Sequence, residues 1–257
     1  MSNQLVLYEV VDSIAILTLN NPEKRNALSE ELLLEMKARL DEAKDLRGVR
    51  VVIIRANGKI FSSGHDLREL IERDEESYAR VFATCTEVME TIRLLPKPVI
   101  AQVQGLATAA GCQLVATCDL AVASEDAAFA TPGVNIGLFC TTPGVALARA
   151  VPVKKAMEML LTGKPISAEE ALAWGLVNKV VPLSELEQQT TELAGKIAAF
   201  SHYTVSLGKE AFYKQVEMDR PRAYQLAQGI MVQNLLSHDA QEGINSFLSK
   251  RQPKWES

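Results

Sequence analysis

Residues 97–124, K-P-V-I-A-Q-V-Q-G-L-A-T-A-A-G-C-Q-L-V-A-T-C-D-L-A-V-A-S, decide the fold class. Pro96 and Pro98 frame V-I-A-Q-V-Q-G, an apolar run that reads as a buried strand. The small-residue segment A-A-G-C-Q-L-V-A-T-C reads as a short helix, and D-L-A-V-A-S as the next strand. Apolar strands without alternation, separated by helices, argue an α/β layered core with parallel strands.

Working outward, V-R-V-V-I-I-R-A-N has the same character and precedes a helical stretch that runs to about Leu95. Upstream, residues 5–10 and 14–19 read as a β-hairpin stopped by Asn20, Asn21 and Pro22. Ser29 offers an N-cap to a helix whose Leu32, Met36, Leu40 and Ala43 recur at helical spacing. Downstream, the pattern turns helical from about Val151. Residues 154–162 close at Gly163, and Ser167 with Glu170 forms a capping box for a helix ended by Gly175. After a short V-V-P strand only helical patterns remain, at 184–199, 203–216, 222–236 and 239–250. The organisation read here is a β/α core over residues 1–200 and a helical region over 201–257.

The 257 residues suffice for one sizeable core, and 47% hydrophobic with 23% charged residues is an ordinary globular composition. A net charge of -5 without a basic stripe argues against nucleic acid as the main partner. Cys85, Cys112, Cys118 and Cys140 show no C-x-x-C spacing, so free thiols in a reducing compartment are expected. The opening M-S-N-Q-L-V-L-Y-E-V shows neither a signal nor a transit pattern, and cytoplasmic localisation is the expectation. No apolar run is long enough for a membrane span, and no metal-ligand cluster, P-loop or nucleophile elbow is present.

Ligands in α/β sheets collect beyond the carboxyl ends of strands. Two such ends share one design: V-V-I-I-R-A-N runs into N-G-K-I-F-S-S-G-H-D, and V-I-A-Q-V-Q-G into L-A-T-A-A-G-C. Small side chains let a ligand approach the backbone closely. The second loop opens a helix, whose first amides lack intrahelical partners and lie at the positive dipole end. That suits an oxygen gaining negative charge. On these residues alone, such a small-residue junction is more often tight packing of a loop against a helix.

These segments resemble the crotonase (enoyl-CoA hydratase/isomerase) superfamily. The resemblance also covers N-P-E-K-R-N-A-L-S, A-A-F-A-T-P-G-V-N-I-G and L-L-T-G-K-P-I-S-A-E-E-A-L-A-W-G-L-V-N-K-V-V, in order along essentially the whole chain. It implies a ββα spiral core with a C-terminal helical trimerisation region, assembled as a homotrimer or dimer of trimers. It implies an acyl-CoA thioester as substrate, with coenzyme A as part of that substrate, no separate cofactor and no metal. Two backbone amides, of His65 and Ala110, would hold the thioester oxygen. Arg25, Ala27 and Leu28 would line the adenine and pantetheine end, Ser63, Asp66 and Leu67 would flank the thioester, and Gly111 would follow the second amide.

The family's hydratases add water with two glutamates. At the matching positions this chain has Gln113 and Gly133. An amide does not exchange a proton near neutral pH, and general acid–base assistance is worth about 10²–10⁴-fold per group. Efficient hydration is therefore not expected, and restoring both glutamates is expected to raise it.

Cys140, in G-L-F-C-T-T-P-G, stands where the family places residues facing the acyl group. The family's methylmalonyl-CoA decarboxylases carry G-H-D at the first loop and a tyrosine near this position. A free Cys is more often a small buried apolar residue. The His65 imidazole and Asp66 are two further candidates to stand in for the missing acids, although the imidazole is more readily read as facing solvent or the CoA phosphates and Asp66 as capping the following turn. Three readings follow: enolate-stabilising acyl-CoA chemistry, decarboxylation of a malonyl-type CoA or acyl-CoA hydrolysis, and non-catalytic acyl-CoA binding.

Overall fold

Val6–Val11 (β1) and Ile14–Leu19 (β2) pair antiparallel, from Val6 opposite Leu19 to Val11 opposite Ile14, as their β-rich runs predict. Asp12 makes the turn at φ 54°, a left-handed value that Asp tolerates. The structure, a computed structural model, describes residues 4–256. Met1 to Asn3, at the head of the stretch read for a leader, and Ser257 lie outside the described residues.

The elements that follow are α1 (Glu30–Asp45), β3 (Val51–Ala56), α2 (Glu75–Leu94), β4 (Val99–Val103), β5 (Ala107–Thr108), α3 (Ala110–Thr117), β6 (Leu120–Ser124) and β7 (Ala128–Ala130). Then come α4 (Thr141–Ala150), α5 (Val153–Thr162), β8 (Ile166–Ser167), α6 (Ala168–Trp174), β9 (Lys179–Val181), α7 (Leu186–Ala198), α8 (His202–Gln215), α9 (Arg220–Leu235) and α10 (His238–Leu248). A six-stranded sheet has the order β1-β2-β3-β4-β6-β9, and every pair after the first is parallel. A second sheet, β5-β7-β8, stands beyond the ends of β4 and β6 in the chain.

The lack of alternation in β3 has the cause that parallel strands require: both faces are covered. Val52 and Ile54 pack in the main core with Leu32, Met36 and Leu40 of α1 and Val88 and Ile92 of α2. Val51 and Ile53 face the opposite side, where Leu186 and Ala194 of α7 cover them. Full burial of such side chains stabilises by roughly 1.5–3 kcal/mol each. Ser29 and Ser167 cap α1 and α6 as expected, the latter with the full Ser167–Glu170 capping box.

Two parts of the fold escaped the pattern reading. α4 begins T-T-P-G, and Pro143 with Gly144 reads as a break. Proline is tolerated there because the first turn's amides have no helical partner to lose. Gly144 serves close packing, since a Cβ on it would lie 3.3 Å from Leu160 Cδ1. The second sheet has strands of two or three residues, too short for any periodicity to register.

Buried charges tie helices to the sheet. Lys97, 2% exposed, donates to the carbonyls of Ala43 (2.5 Å), Lys44 (3.0 Å) and Leu46 (2.8 Å), satisfying the orphan end of α1. Asp119 accepts from the Val99 amide (2.7 Å), Lys209 Nζ (2.6 Å) and the Tyr213 hydroxyl (2.8 Å), so α8 is anchored on the start of β4 and β6. No apolar residue of α8 or α9 is fully buried, however, and Phe212, Met231, Leu236 and Phe247 present large apolar side chains to the exterior.

Candidate active site

The loops after β3 and β4 are zipped together by backbone. The Phe61 and Ser62 amides donate to the Leu106 carbonyl, and the Thr108 amide donates to the Ser62 carbonyl at 2.9 Å. The fully buried Ser62 hydroxyl donates to the Asn26 carbonyl at 2.9 Å and accepts from the Gly64 amide at 3.2 Å. Two glycines make so close an approach possible. A Cβ on Gly111 would lie 2.6 Å from the Ser62 carbonyl oxygen, and one on Gly64 would lie 2.9 Å from that of Thr108.

This junction leaves two amides unspent. Leu28 donates to the Gly64 carbonyl at 2.7 Å and bridges to His65, while the His65 amide donates to no backbone acceptor among the described residues. Ala110 is the first residue of α3, so its amide has no helical partner, and none elsewhere among the described residues. Ala109 turns that amide inward at φ 52°, ψ -120°, a conformation costly for any residue with a Cβ. It is fixed by its own amide donating to the Ala130 carbonyl (2.9 Å) and its carbonyl accepting from Gln113 (3.0 Å). Strain held by surrounding hydrogen bonds marks functional backbone more often than accident.

The segment carrying Arg25, Ala27 and Leu28 lies along this junction, with the Ser63 amide donating to the Arg25 carbonyl at 3.0 Å. Arg25 is exposed, whereas Ala27 and Leu28 are buried, so Leu28 meets the site through its backbone alone. The residue that holds the segment was missed in the pattern reading. Asn26 is wholly buried at φ 50°; its side chain donates to the carbonyls of Asn57 (2.9 Å) and Ile60 (2.8 Å) and accepts from the Asn21 amide (2.9 Å). Its signal was an Asn after N-P-x-x-x, a residue type that visits left-handed backbone readily.

Asp66 caps the 3₁₀ turn Leu67–Leu70 by accepting from the Arg68 amide at 3.0 Å, as expected, and Leu67 is half exposed. The His65 imidazole does not face solvent. It packs edge-on against Phe82 of α2, with ring centroids 5.3 Å apart, and both ring nitrogens are buried without a partner. Burial holds its pKa below the ordinary value, so the ring is neutral at neutral pH.

Gln113 lies one turn into α3, 6% exposed, with its Oε1 buried and unpartnered. It also lines a cavity of about 540 Å³ between α2, α3 and α4, roofed by Phe212 and Tyr213. Gln113 is the one residue of the candidate site that this cavity shares.

Gly133 sits in the 3₁₀ turn Pro132–Ile136, and the structure explains its size. A Cβ there would lie 2.4 Å from the Leu138 carbonyl oxygen and 2.8 Å from Cys140 Sγ. The Gly133 amide donates to that sulfur at 3.3 Å. A glutamate at this position therefore has no room, which revises the expectation that restoring both acids raises hydration. Cys140 is the N-cap residue of α4 and is 8% exposed; burial raises its thiol pKa, and pushes that of Cys112 up to about 12.

Among the described residues, buried side-chain polar atoms without partners belong to Tyr8, Arg50, His65, Thr108, Gln113 and Thr131. The last four all lie on segments that build the junction or flank Gly133. Such concentration calls for a ligand-facing explanation.

The fold and the site together define an acyl-CoA enzyme family, and the chain belongs to it: residues 9–257 match the enoyl-CoA hydratase/isomerase family. The fold is crotonase-type. The chain is 56% identical over 246 residues to human enoyl-CoA hydratase domain-containing protein 3, mitochondrial, covering 95% of this chain and 81% of that protein. The solved human structure of that protein gives a TM-score of 0.96 at 55% identity, covering 98% of this chain and 100% of that one. A solved enoyl-CoA hydratase of Mycobacterium smegmatis gives 0.96 at 46% identity, covering 99% and 100%. A probable enoyl-CoA hydratase of Bacillus subtilis is 34% identical over 248 residues, covering 94% and 95%. The expectation of a cytoplasmic protein is overturned: relatives at 54–56% identity from human, rat and mouse are mitochondrial proteins by name.

Proposed function

We infer that the chain binds an acyl-CoA thioester and stabilises its enolate with the amides of His65 and Ala110, without the acid pair that adds water to an enoyl group. The observation that carries this is the junction itself: two unspent amides in a strained, glycine-dependent setting, beside Gln113 and a Gly133 that cannot bear a side chain. One preorganised amide donor is worth about 3 kcal/mol on a developing oxyanion. Arg25, Ala27 and Leu28 line the nucleotide side in this reading, and the chemistry calls for no cofactor beyond the coenzyme A of the substrate.

The absence of a free carboxylate favours one reaction within that class. On the loop after β3, Asp66, Glu69 and Asp74 are spent on the amides of Arg68, Glu30 and Ser77, and Glu72 is exposed. Loss of CO₂ from a malonyl-type thioester leaves an enolate without any base, so decarboxylation needs only the hole and a returning proton. Residues 1–200 would carry this site. Residues 201–257 would supply the oligomeric contacts, since no apolar residue of α8 or α9 is fully buried and Phe212, Met231 and Val232 expose apolar surface, consistent with a trimer or a dimer of trimers.

Crotonyl-, methylmalonyl- and long-chain acyl-CoA, each scored for turnover and thermal stabilisation, test this reading. CO₂ release from methylmalonyl-CoA with little crotonyl-CoA hydration is expected. Stabilisation without turnover on any of the three would leave an acyl-CoA binder and overturn the enzymatic reading.

A further inference from the structure

A thioester held by the amides of His65 and Ala110 places its acyl chain beside α3, and a cavity of about 540 Å³ opens along that helix. We propose that the chain enters this cavity, so that the substrate is a thioester of medium chain length whose acyl group carries a hydroxyl read by Gln113. This rests on the enolate reading above and names its substrate class.

The path follows one stripe of α3. Ala110, Gln113 and Thr117 recur at helical spacing and therefore share a face. The first supplies the unspent amide, and the other two line the cavity. At about 1.5 Å per residue, the stripe from Ala110 to Thr117 runs roughly 10 Å. The floor is apolar: Met89 of α2, Val115 and Cys118 of α3, and Leu176 are all buried. The roof is held in place by the core. The Tyr213 hydroxyl donates to Asp119 at 2.8 Å and Lys209 donates to the same carboxylate at 2.6 Å, so α8 carries Phe212 and Tyr213 over the cavity on a buried ion pair. The acids on the wall are spent. Glu90 and Glu217 pair with Arg93 at 2.9 Å and 3.8 Å, and Asp119 pairs with Lys209, while Arg149 is exposed. A chain of methylenes therefore strands no unpaired carboxylate by entering, and it gains an apolar floor.

Gln113 supplies the second observation. It lines the cavity at the end nearest Ala110 and is 6% exposed, with Oε1 buried and unpartnered. A buried acceptor of this kind calls for a donor. The Thr117 hydroxyl does not provide it, because it donates to the Gln113 carbonyl at 2.8 Å. A plain alkyl chain has no donor either. A hydroxyl on the acyl chain donates to Oε1 and can accept from the amide nitrogen of the same side chain, with no proton transferred. The chemistry proposed above acts at C2 and leaves the chain beyond it free to be read in this way.

Calorimetric titration of the full-length protein with CoA, acetyl-CoA, octanoyl-CoA and 3-hydroxyoctanoyl-CoA tests this. Wild type is expected to bind octanoyl-CoA about tenfold or more tightly than acetyl-CoA. A further gain of about threefold is expected for 3-hydroxyoctanoyl-CoA. Ala116→Phe and Ala146→Phe fill the cavity from α3 and from α4, and each is expected to bind octanoyl-CoA no better than acetyl-CoA. Gln113→Leu is expected to keep the gain from chain length and lose the gain from the hydroxyl. Thermal unfolding without ligand shows whether each variant is folded, and the two filling variants stand in for one another. Equal affinity of wild type for acetyl- and octanoyl-CoA, or a full chain-length gain in the filled variants, would overturn the cavity assignment. Acetyl-CoA binding more tightly than CoA would in that case leave the thioester reading intact. A hydroxyl gain that survives in Gln113→Leu would overturn the role of Gln113. Failure of every thioester to bind more tightly than CoA would overturn the enolate reading as well.

Discussion

A methyl group on Gly64 would stand 3.1 Å from the amide nitrogen of Ala110, and 2.8 Å from the Ala109 Cβ. The two loops that each supply one unspent amide thus meet at van der Waals limits, and Gly64 holds φ 82°, where a side chain is strained in any case. Gly64→Ala is expected to spread the junction, lowering kcat by about 10²–10³-fold through one misplaced donor. Overpacking should also cost about 1–3 kcal/mol of stability. Turnover and urea unfolding on the same preparation check both effects.

Asn26 tests whether the junction is held from outside. Its side chain satisfies two carbonyls and one amide in a fully buried setting. Asn26→Ala strands those groups and leaves Ala at positive φ, so a loss of about 2–4 kcal/mol is expected in denaturant unfolding. A loss below 1 kcal/mol would show that the loops hold themselves together.

Gly133→Glu should not install hydratase chemistry. Its Cβ would meet the Leu138 carbonyl oxygen at 2.4 Å, and the segment must shift before any carboxylate is delivered. The variant is expected to lose stability by about 1–3 kcal/mol and gain no crotonyl-CoA hydration, alone or with Gln113→Glu. Thermal unfolding and enone absorbance together decide the matter.

Acid should weaken the protein through its buried histidines. Burial lowers the pKa of His65, and burial followed by the charges of Lys97 and Arg50 lowers that of His202. As pH falls below about 6.5, the unfolded chain takes up protons that the folded chain refuses, so stability drops. In His65→Gln the slope of stability against pH below 6.5 should be shallower than in wild type. Equal slopes would mean that the imidazole is hydrated in the native state.

The long elements were legible because their patterns follow burial: the apolar run of β3 is covered on both faces, and the capping serines of α1 and α6 do what their positions imply. The two loops were legible as small-residue strand ends, and the family resemblance singled out His65 and Ala110. What composition could not carry is three-dimensional exclusion. Nothing local to Gly133 says that Cys140 and Leu138 fill its side-chain volume, and nothing in K-P-V-I says that Lys97 caps a helix ending more than fifty residues earlier. The imidazole of His65 was misplaced for the same reason, since Phe82 lies on a helix well downstream.

The most direct test of the account is the initial rate at which the purified protein removes the enone absorbance of crotonyl-CoA, measured where crotonyl-CoA also raises the melting temperature. Binding with a rate near background is expected, because Gln113 and Gly133 place no acid and base across the double bond. Rapid loss of the enone would contradict it, and would require a proton-transfer pair that these residues do not form.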